Sequence, residues 1–377
     1  MSGLYIHIPF CKQACSYCDF YFVTQQKYKQ QFVEKLIEEI ESYRETRYSS
    51  APVRTIYFGG GTPSLLLPKQ VEAILESVYH TFEVKAEEIT LEMNPDDVSR
   101  QYLRGLKSAG ITRASMGIQS FDPELLKFMH RTHTADEALQ CLEILRSSSF
   151  QVFTADLIYG NPGQSLEALE KDIETLLSFD PPHVSAYSLT VEPNTRLGKQ
   201  VELGRILPPE DDRVADHFDL MVARLSDYGI EQYEVSNYAK PGSEAIHNSR
   251  YWNHENYLGF GPGAHSFWWS RDRRSAQRWS NKADLRSYLA DEPIKEDQET
   301  FHLKKLAEER LMLGLRTREG IRFSELKDRY DFELTPEQQV YLERKMQEGK
   351  VILDDSIRLT SEGLKITDSI LLDLLTS

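Results

Sequence analysis

Cys11, Cys15 and Cys18 stand within eight residues, in HIPFCKQACSYCDFYF, separated by three residues and then by two. Three thiolates on a short loop can hold three irons of a [4Fe–4S] cubane and leave the fourth iron open. An open iron takes a small bidentate ligand. The amino and carboxylate groups of S-adenosylmethionine form such a pair, and an electron from the cluster can cleave the bound molecule to a radical. A structural zinc site would want two close pairs of ligands, and no fourth thiol or histidine stands at a matching distance, His7 being too near in sequence. A disulfide framework does not fit four cysteines in 377 residues with one left over. The fourth, Cys141 in DEALQCLEILR, falls on the apolar stripe of a helical pattern and reads as a core thiol.

Other residues could complete such a site. Gly59-Gly60-Gly61-Thr62-Pro63 follows the strand-like run RTIYF, and glycines there let the backbone approach a ligand and clasp an amino group. Taken alone, the run is equally a tight turn. Glu92 in TLEMNPDD, Gln119 in SMGIQSF and Asp156 in TADLIYGNPGQ lie at or near the ends of further strands, and Arg131 stands in FMHRTH. Singly, each reads as a salt bridge or a cap. Together they can satisfy the polar groups of S-adenosylmethionine.

The elements that would bring these residues together follow from periodicity. Short β-rich runs (LYIHIPF, RTIYF, EITLEM, TRASMGI, VFTADLIYG, HVSAYSLTV, EQYEVS) alternate with amphipathic stretches at 27–44, 68–80, 135–147, 166–178 and 211–228. Six such units predict an α/β fold, a partial (βα)6 TIM-like barrel over 1–236, with the chemistry at the C-terminal ends of its strands. The cysteine loop follows the first strand. Residues 237–303 read as an irregular, aromatic- and glycine-rich connecting segment holding HNSRYWNHENYLGFGPGAHSFWW. Residues 304–377 read as helices followed by a two-stranded wing, a smaller α+β winged-helix-like domain.

Composition narrows the partners. Hydrophobic residues make up 40% and charged residues 27%, as in ordinary globular proteins. A net charge of -15 excludes a broad nucleic-acid-binding surface. The basic stretch 269–278, WSRDRRSAQR, reads as a solvated loop, with Phe267, Trp268 and Trp269 beside it leaving peripheral membrane contact open. Without an apolar run of eighteen residues or a basic leader, the chain is expected in the cytoplasm.

The set HIPFCxxxCxxCxF, GGGTP, LExNP, GIQSF, DLIYGxPxQ and HNxxYW resembles the oxygen-independent coproporphyrinogen III oxidase-like family of radical SAM proteins, and within it the branch of haem chaperones. The resemblance implies that Cys11, Cys15 and Cys18 bind a [4Fe–4S] cluster and that Tyr5, Gly60, Gly61, Thr62, Glu92, Gln119, Arg131 and Asp156 contact S-adenosylmethionine. It implies haem as a further ligand, transfer of haem to soluble or membrane-bound acceptors, and a homodimer as one allowed assembly. The decarboxylating oxidase carries a further cysteine where this chain has Phe20, and a longer arm before its cysteines, so coproporphyrinogen III dehydrogenase activity is the alternative and is not expected. His247, in the HNxxYW segment, suits a haem iron beside stacking aromatics, or caps a turn while Tyr251 and Trp252 pack a domain joint. His254 and His265 are alternative ligands.

Overall fold

The computed structural model describes residues 2–150, 152–290, 292 and 294–376. Six βα units come first: β1 Ser2–Ile8 with α1 Lys29–Glu41, β2 Val53–Gly60 with α2 Pro68–Thr81, and β3 Val84–Met93 with α3 Arg100–Ala109. They continue with β4 Arg113–Gln119 and the helices α4 Pro123–Phe128 and α5 Ala135–Arg146, then β5 Val152–Tyr159 and α6 Leu166–Leu177. The last is β6 His183–Ser188 with α7 Arg196–Glu202 and α8 Asp211–Ser226. Next come β7 Glu231–Glu234, β8 Asn237–Ala239, α9 Ile246–Trp252, β9 Asn256–Phe260, β10 His265–Trp269, β11 Ser275–Asn281, α10 Leu285–Leu289 and β12 Lys295–His302.

These strands form one sheet in the order β12-β11-β10-β9-β1-β2-β3-β4-β5-β6-β8-β7. From β9 to β6 every pair is parallel, and the remaining pairs are antiparallel. The expected partial barrel is therefore present, with an addition. The segment expected to be irregular is instead ordered: β9 pairs with β1 as a seventh parallel strand, and β10 to β12 extend that edge. Its glycines and aromatics concealed a short strand because Gly259 admits the carbonyl of His265 only for want of a Cβ, which would lie 2.2 Å from that oxygen.

Strand alternation separates two environments. Leu4, Ile6, Ile8, Ile56, Phe58, Leu91, Met116 and Leu157 are buried in the main hydrophobic core. The opposite register positions face the barrel axis and are polar or aromatic: Tyr5 and His7, Thr55 and Tyr57, Glu88 and Glu92, Arg113, Thr154 and Asp156. The N-terminal end of the barrel is closed by α9. Backbone N–H groups of Ile246 and His247 donate to the Glu88 carboxylate at 3.1 and 2.9 Å, and Arg113 Nη1 donates to the carbonyls of Ser243 and Glu244.

The C-terminal unit comprises α11 Leu303–Gly314, β13 Ile321–Arg322, α12 Phe323–Tyr330, α13 Pro336–Gln347, β14 Val351–Leu353, β15 Ser356–Leu359, α14 Ser361–Leu364 and α15 Thr367–Thr376. Its three strands make a separate antiparallel sheet, and Leu311, Leu326, Leu342, Ile357 and Ile370 form its own core. Helices with a small antiparallel wing match the winged-helix-like expectation, except that the two-residue β13 adds a third strand to the two expected. Among the described residues no helix is long and apolar enough to cross a membrane.

Candidate functional site

A cavity of about 460 Å³ opens at the C-terminal ends of the parallel strands. Cys11, Cys15 and Cys18 line it together with Gly60, Gly61, Thr62, Glu92, Gln119, Arg131 and Asp156. Residues separated by up to 145 positions are thus gathered by a single topological fact: every parallel strand ends on the same side.

The cysteine loop is fastened from several directions. Cys11 N–H donates to the Val23 carbonyl at 3.0 Å, and Ser16 N–H to that of Met129 at 3.0 Å. Gln13 Nε2 donates to the His130 carbonyl at 2.9 Å, and Leu197 N–H to that of Ser16 at 2.7 Å. Lys12 bridges to Asp96 at 2.8 Å and also to Asp97, tying the loop to the turn after β3. The second strand's turn docks on the same loop: Gly61 N–H donates to Ile8 O at 2.8 Å and Thr62 N–H to Phe10 O at 2.7 Å. A Cβ on Gly61 would lie 2.8 Å from both of those oxygens, and Gly60 adopts φ +104 against the His7 ring. Only glycine fits either place.

Around the thiols, Thr62 Oγ1 lies 3.5 Å from Cys11 Sγ, and Arg131 Nη1 lies 3.4 Å from Cys15 Sγ. Arg131 is held by Asn94 Oδ1 at 2.7 Å and the Gly117 carbonyl at 2.9 Å. Burial pushes the Cys11 thiol up and that of Cys18 up to about 12, with the neighbouring cysteines adding to both shifts. Buried thiols whose ionisation is disfavoured, as at Cys11 and Cys18, belong to a donor set that a cationic iron centre would stabilise as thiolates. Glu92 accepts from Tyr57 O–H at 2.6 Å, and Gln119 holds φ +69 with its buried Oε1 unpartnered. An orphaned buried acceptor beside a glycine cradle fits a ligand carrying amino and hydroxyl donors, as S-adenosylmethionine does.

Two expected residues lie elsewhere. Tyr5 does not line the cavity: its ring packs against Gly59 and its hydroxyl donates to His7 Nδ1 at 3.2 Å. His247 sits at the opposite end of the barrel, 1% exposed. Its Nδ1 bonds Thr55 Oγ1 at 2.9 Å, its Nε2 bonds Tyr251 O–H at 2.8 Å, and its ring stacks on Tyr57. Burial, and then Arg250, lowers its pKa to about 3. With both nitrogens committed, it has none to offer a haem iron. His254 is likewise enclosed, stacked on Phe267 with Nδ1 bonded to Tyr330 O–H at 3.0 Å.

Comparison with known proteins places this geometry. Residues 5–176 match the radical SAM superfamily and residues 301–366 the HemN C-terminal domain. The chain is 33% identical over 98% of its length to the heme chaperone HemW of Lactococcus lactis, 96% of which is covered. This chain belongs to the HemW family. The HemW of Bacillus subtilis is 34% identical, with 88% of this chain and 87% of that one aligned. In fold the chain resembles the coproporphyrinogen III oxidase HemN of Escherichia coli, with a TM-score of 0.82 at 21% identity over 99% of this chain and 89% of that one.

Within this HemW family member, Asn94, Tyr57 and Tyr17, whose hydroxyl accepts from Arg131 Nη1 at 3.4 Å, also hold the site, and the sequence alone does not single them out. Asn94 stands inside the quoted LExNP run, so its signal was present. Tyr57 in RTIYF reads as an apolar strand former, and its role shows only once the strand's inward face is known to be polar.

Proposed function

We propose that this protein is a haem chaperone that binds haem, a [4Fe–4S] cluster and S-adenosylmethionine, and hands haem to acceptor proteins, soluble or membrane-bound, in the cytoplasm. The observation that carries the reading is the gathering of three cysteines and the Gly60–Thr62 cradle in one cavity of a chain related over nearly its full length to proteins named heme chaperone HemW. Cys11, Cys15 and Cys18 would hold the cluster. Gly60, Gly61, Thr62, Glu92, Gln119 and Asp156 would hold S-adenosylmethionine, Arg131 would balance charge beside the thiolates, and Tyr5 would act through Gly59. Bound there, a [4Fe–4S] cluster would supply the electron that reductive cleavage of S-adenosylmethionine needs. Phe20, where the oxidase family has cysteine, favours this reading over coproporphyrinogen III decarboxylation.

The test is anaerobic. Reconstituted protein is titrated with haem, then mixed with an apo-haem protein while transfer is followed in the Soret band. One haem per chain and transfer faster than from free albumin-bound haem is the expected result. Multiple-turnover formation of protoporphyrinogen from coproporphyrinogen III would overturn it. A triple Cys11→Ala, Cys15→Ala, Cys18→Ala variant should lose the cluster's iron and visible absorption while keeping its far-ultraviolet circular dichroism.

A further inference from the structure

Resting on the haem-binding reading above, we infer that the haem iron is bound by His265, on the turn GPGAH at the open rim of the barrel, and that the HNxxYW histidine is a structural part of the barrel floor. An axial ligand needs a ring nitrogen that no protein group occupies, on a surface that a flat macrocycle can reach. The chain has ten histidines. His7, His133, His183, His217, His247 and His254 are at most 3% exposed and each is bonded within the protein.

Four remain. His130 is partly exposed, but Arg196 Nη1 lies 3.1 Å from its Nδ1. A guanidinium only donates, so Nδ1 accepts and the proton sits on Nε2, leaving neither nitrogen ready for iron. His80 closes α2 just before β3 begins, at the floor end of the barrel, and His302 ends the outermost strand β12. His265 is exposed, and among the described residues none hydrogen-bonds its ring.

Its position suits the role. The turn that presents it packs on the C-terminal end of β1: a Cβ on Gly261, at φ +91, would lie 2.5 Å from the His7 carbonyl oxygen. The Glu39 carboxylate accepts from Gly261 N–H at 2.8 Å, and Asn281 Nδ2 donates both to Glu39 at 2.7 Å and to the Gly261 carbonyl at 2.9 Å. The backbone beneath His265 is therefore rigid while its ring is free. Next to this turn runs Phe20-Tyr21-Phe22. Tyr21 packs against Gly263, and its carbonyl accepts from His7 Nε2 at 2.9 Å. Phe20 and Phe22 line the cysteine cavity, Phe20 with 65% of its surface exposed. Phe20, a large apolar ring left in solvent on the segment whose next residue, Tyr21, packs on the His265 turn, offers a platform for the face of a porphyrin.

The experiment titrates haem into wild type, His265→Ala, Phe20→Ala and His247→Ala, recording absorption and electron paramagnetic resonance spectra. Wild type should bind one haem per chain. His265→Ala, a surface change that leaves the fold intact, should bind at least tenfold more weakly with an altered axial-ligand spectrum, and added imidazole should restore the wild-type spectrum. Phe20→Ala should weaken binding with the spectrum unchanged. His247→Ala should lose thermal stability but keep the wild-type spectrum wherever it folds. An unchanged spectrum and affinity in His265→Ala, with wild type binding normally, overturns the ligand assignment alone. Absence of haem binding by wild type overturns the assignment together with the function it rests on.

Discussion

Glu92 and Asp156 both line the cavity, near enough for the charge of one to act on the other, and among the described residues no cation is hydrogen-bonded to either, which shapes how the protein responds to pH. Burial first, opposed by Tyr57 and the Gly60 N–H, raises Glu92 to about 7, and burial with the charge of Glu92 raises Asp156 to about 7. Both groups keep their protons in the folded chain at a pH where the unfolded chain has lost them. Their contribution to stability is therefore full below the ordinary carboxylate pKa and is lost as pH rises through about 7. Glu92→Gln and Asp156→Asn should make the cluster-free protein more stable than wild type at pH 8, by on the order of 1 kcal/mol, with the advantage absent near pH 4. Urea unfolding across that range under reducing conditions measures it, and a variant less stable than wild type at pH 8 would count against the proton-holding pair. The same substitutions should abolish S-adenosylmethionine binding. At this scale the cysteine spacing was readable because it reports ligand count directly. His247 was read two ways, as a haem ligand or a structural residue, because a motif's composition does not say whether its ring nitrogens are already spent; in the fold both are hydrogen-bonded within the protein.

The end of β4 shows how an element presents a residue. Asp172, from α6, is buried and accepts from Ser120 Oγ at 2.6 Å and from Phe121 N–H at 2.8 Å. These bonds turn the chain immediately after Gln119 and hold that residue at φ +69, a conformation with a cost for a non-glycine residue. Asp172→Ala should cost about 2 kcal/mol by stranding buried donors, and should weaken S-adenosylmethionine binding tenfold or more by calorimetric titration. Asp172→Asn, which keeps a carbonyl oxygen for the backbone donor, should recover most of both. Stability lost with binding unchanged would reduce Asp172 to a fold residue. Nothing in the sequence marked this carboxylate, which stands in an ordinary amphipathic pattern and becomes special only when α6 crosses the strand end. The six parallel strands were legible because each is a compact apolar run between helical periods. The strands β9 to β12 were not: β9 and β10 are short and rich in aromatics, β12 is rich in charged residues, and the whole extension is placed by the pairing of β9 with distant β1.

Across the whole molecule, several contacts join the barrel floor to the C-terminal unit, and the most buried of the charged ones is made by Arg310. Arg310, on α11 and 5% exposed, donates from Nη1 to the carbonyl of Trp252 at the end of α9. Its Nε and Nη2 form a two-point pair with the Glu325 carboxylate of α12 at 2.9 and 3.1 Å. Arg329 adds bonds from α12 to the Asn253 and His254 carbonyls at 3.1 and 2.7 Å. The HNxxYW helix thus plugs the barrel with its first turn and anchors the winged-helix-like unit with its last. Removing a buried guanidinium that satisfies both a carboxylate and a helix end costs about 3 kcal/mol. Arg310→Ala should therefore split the thermal unfolding of the intact chain, with the C-terminal unit, which has its own core, melting after the barrel has lost its plug. Differential scanning calorimetry reads this as two transitions in place of one, and Arg310→Lys, which keeps charge but not the two-point geometry, should give an intermediate trace. A single transition shifted as a whole would mean that the remaining contacts, among them the backbone bonds from Val235 N–H to Arg316 O and from Arg318 N–H to Tyr233 O and the packing of Trp269 on Tyr330, couple the two units without Arg310.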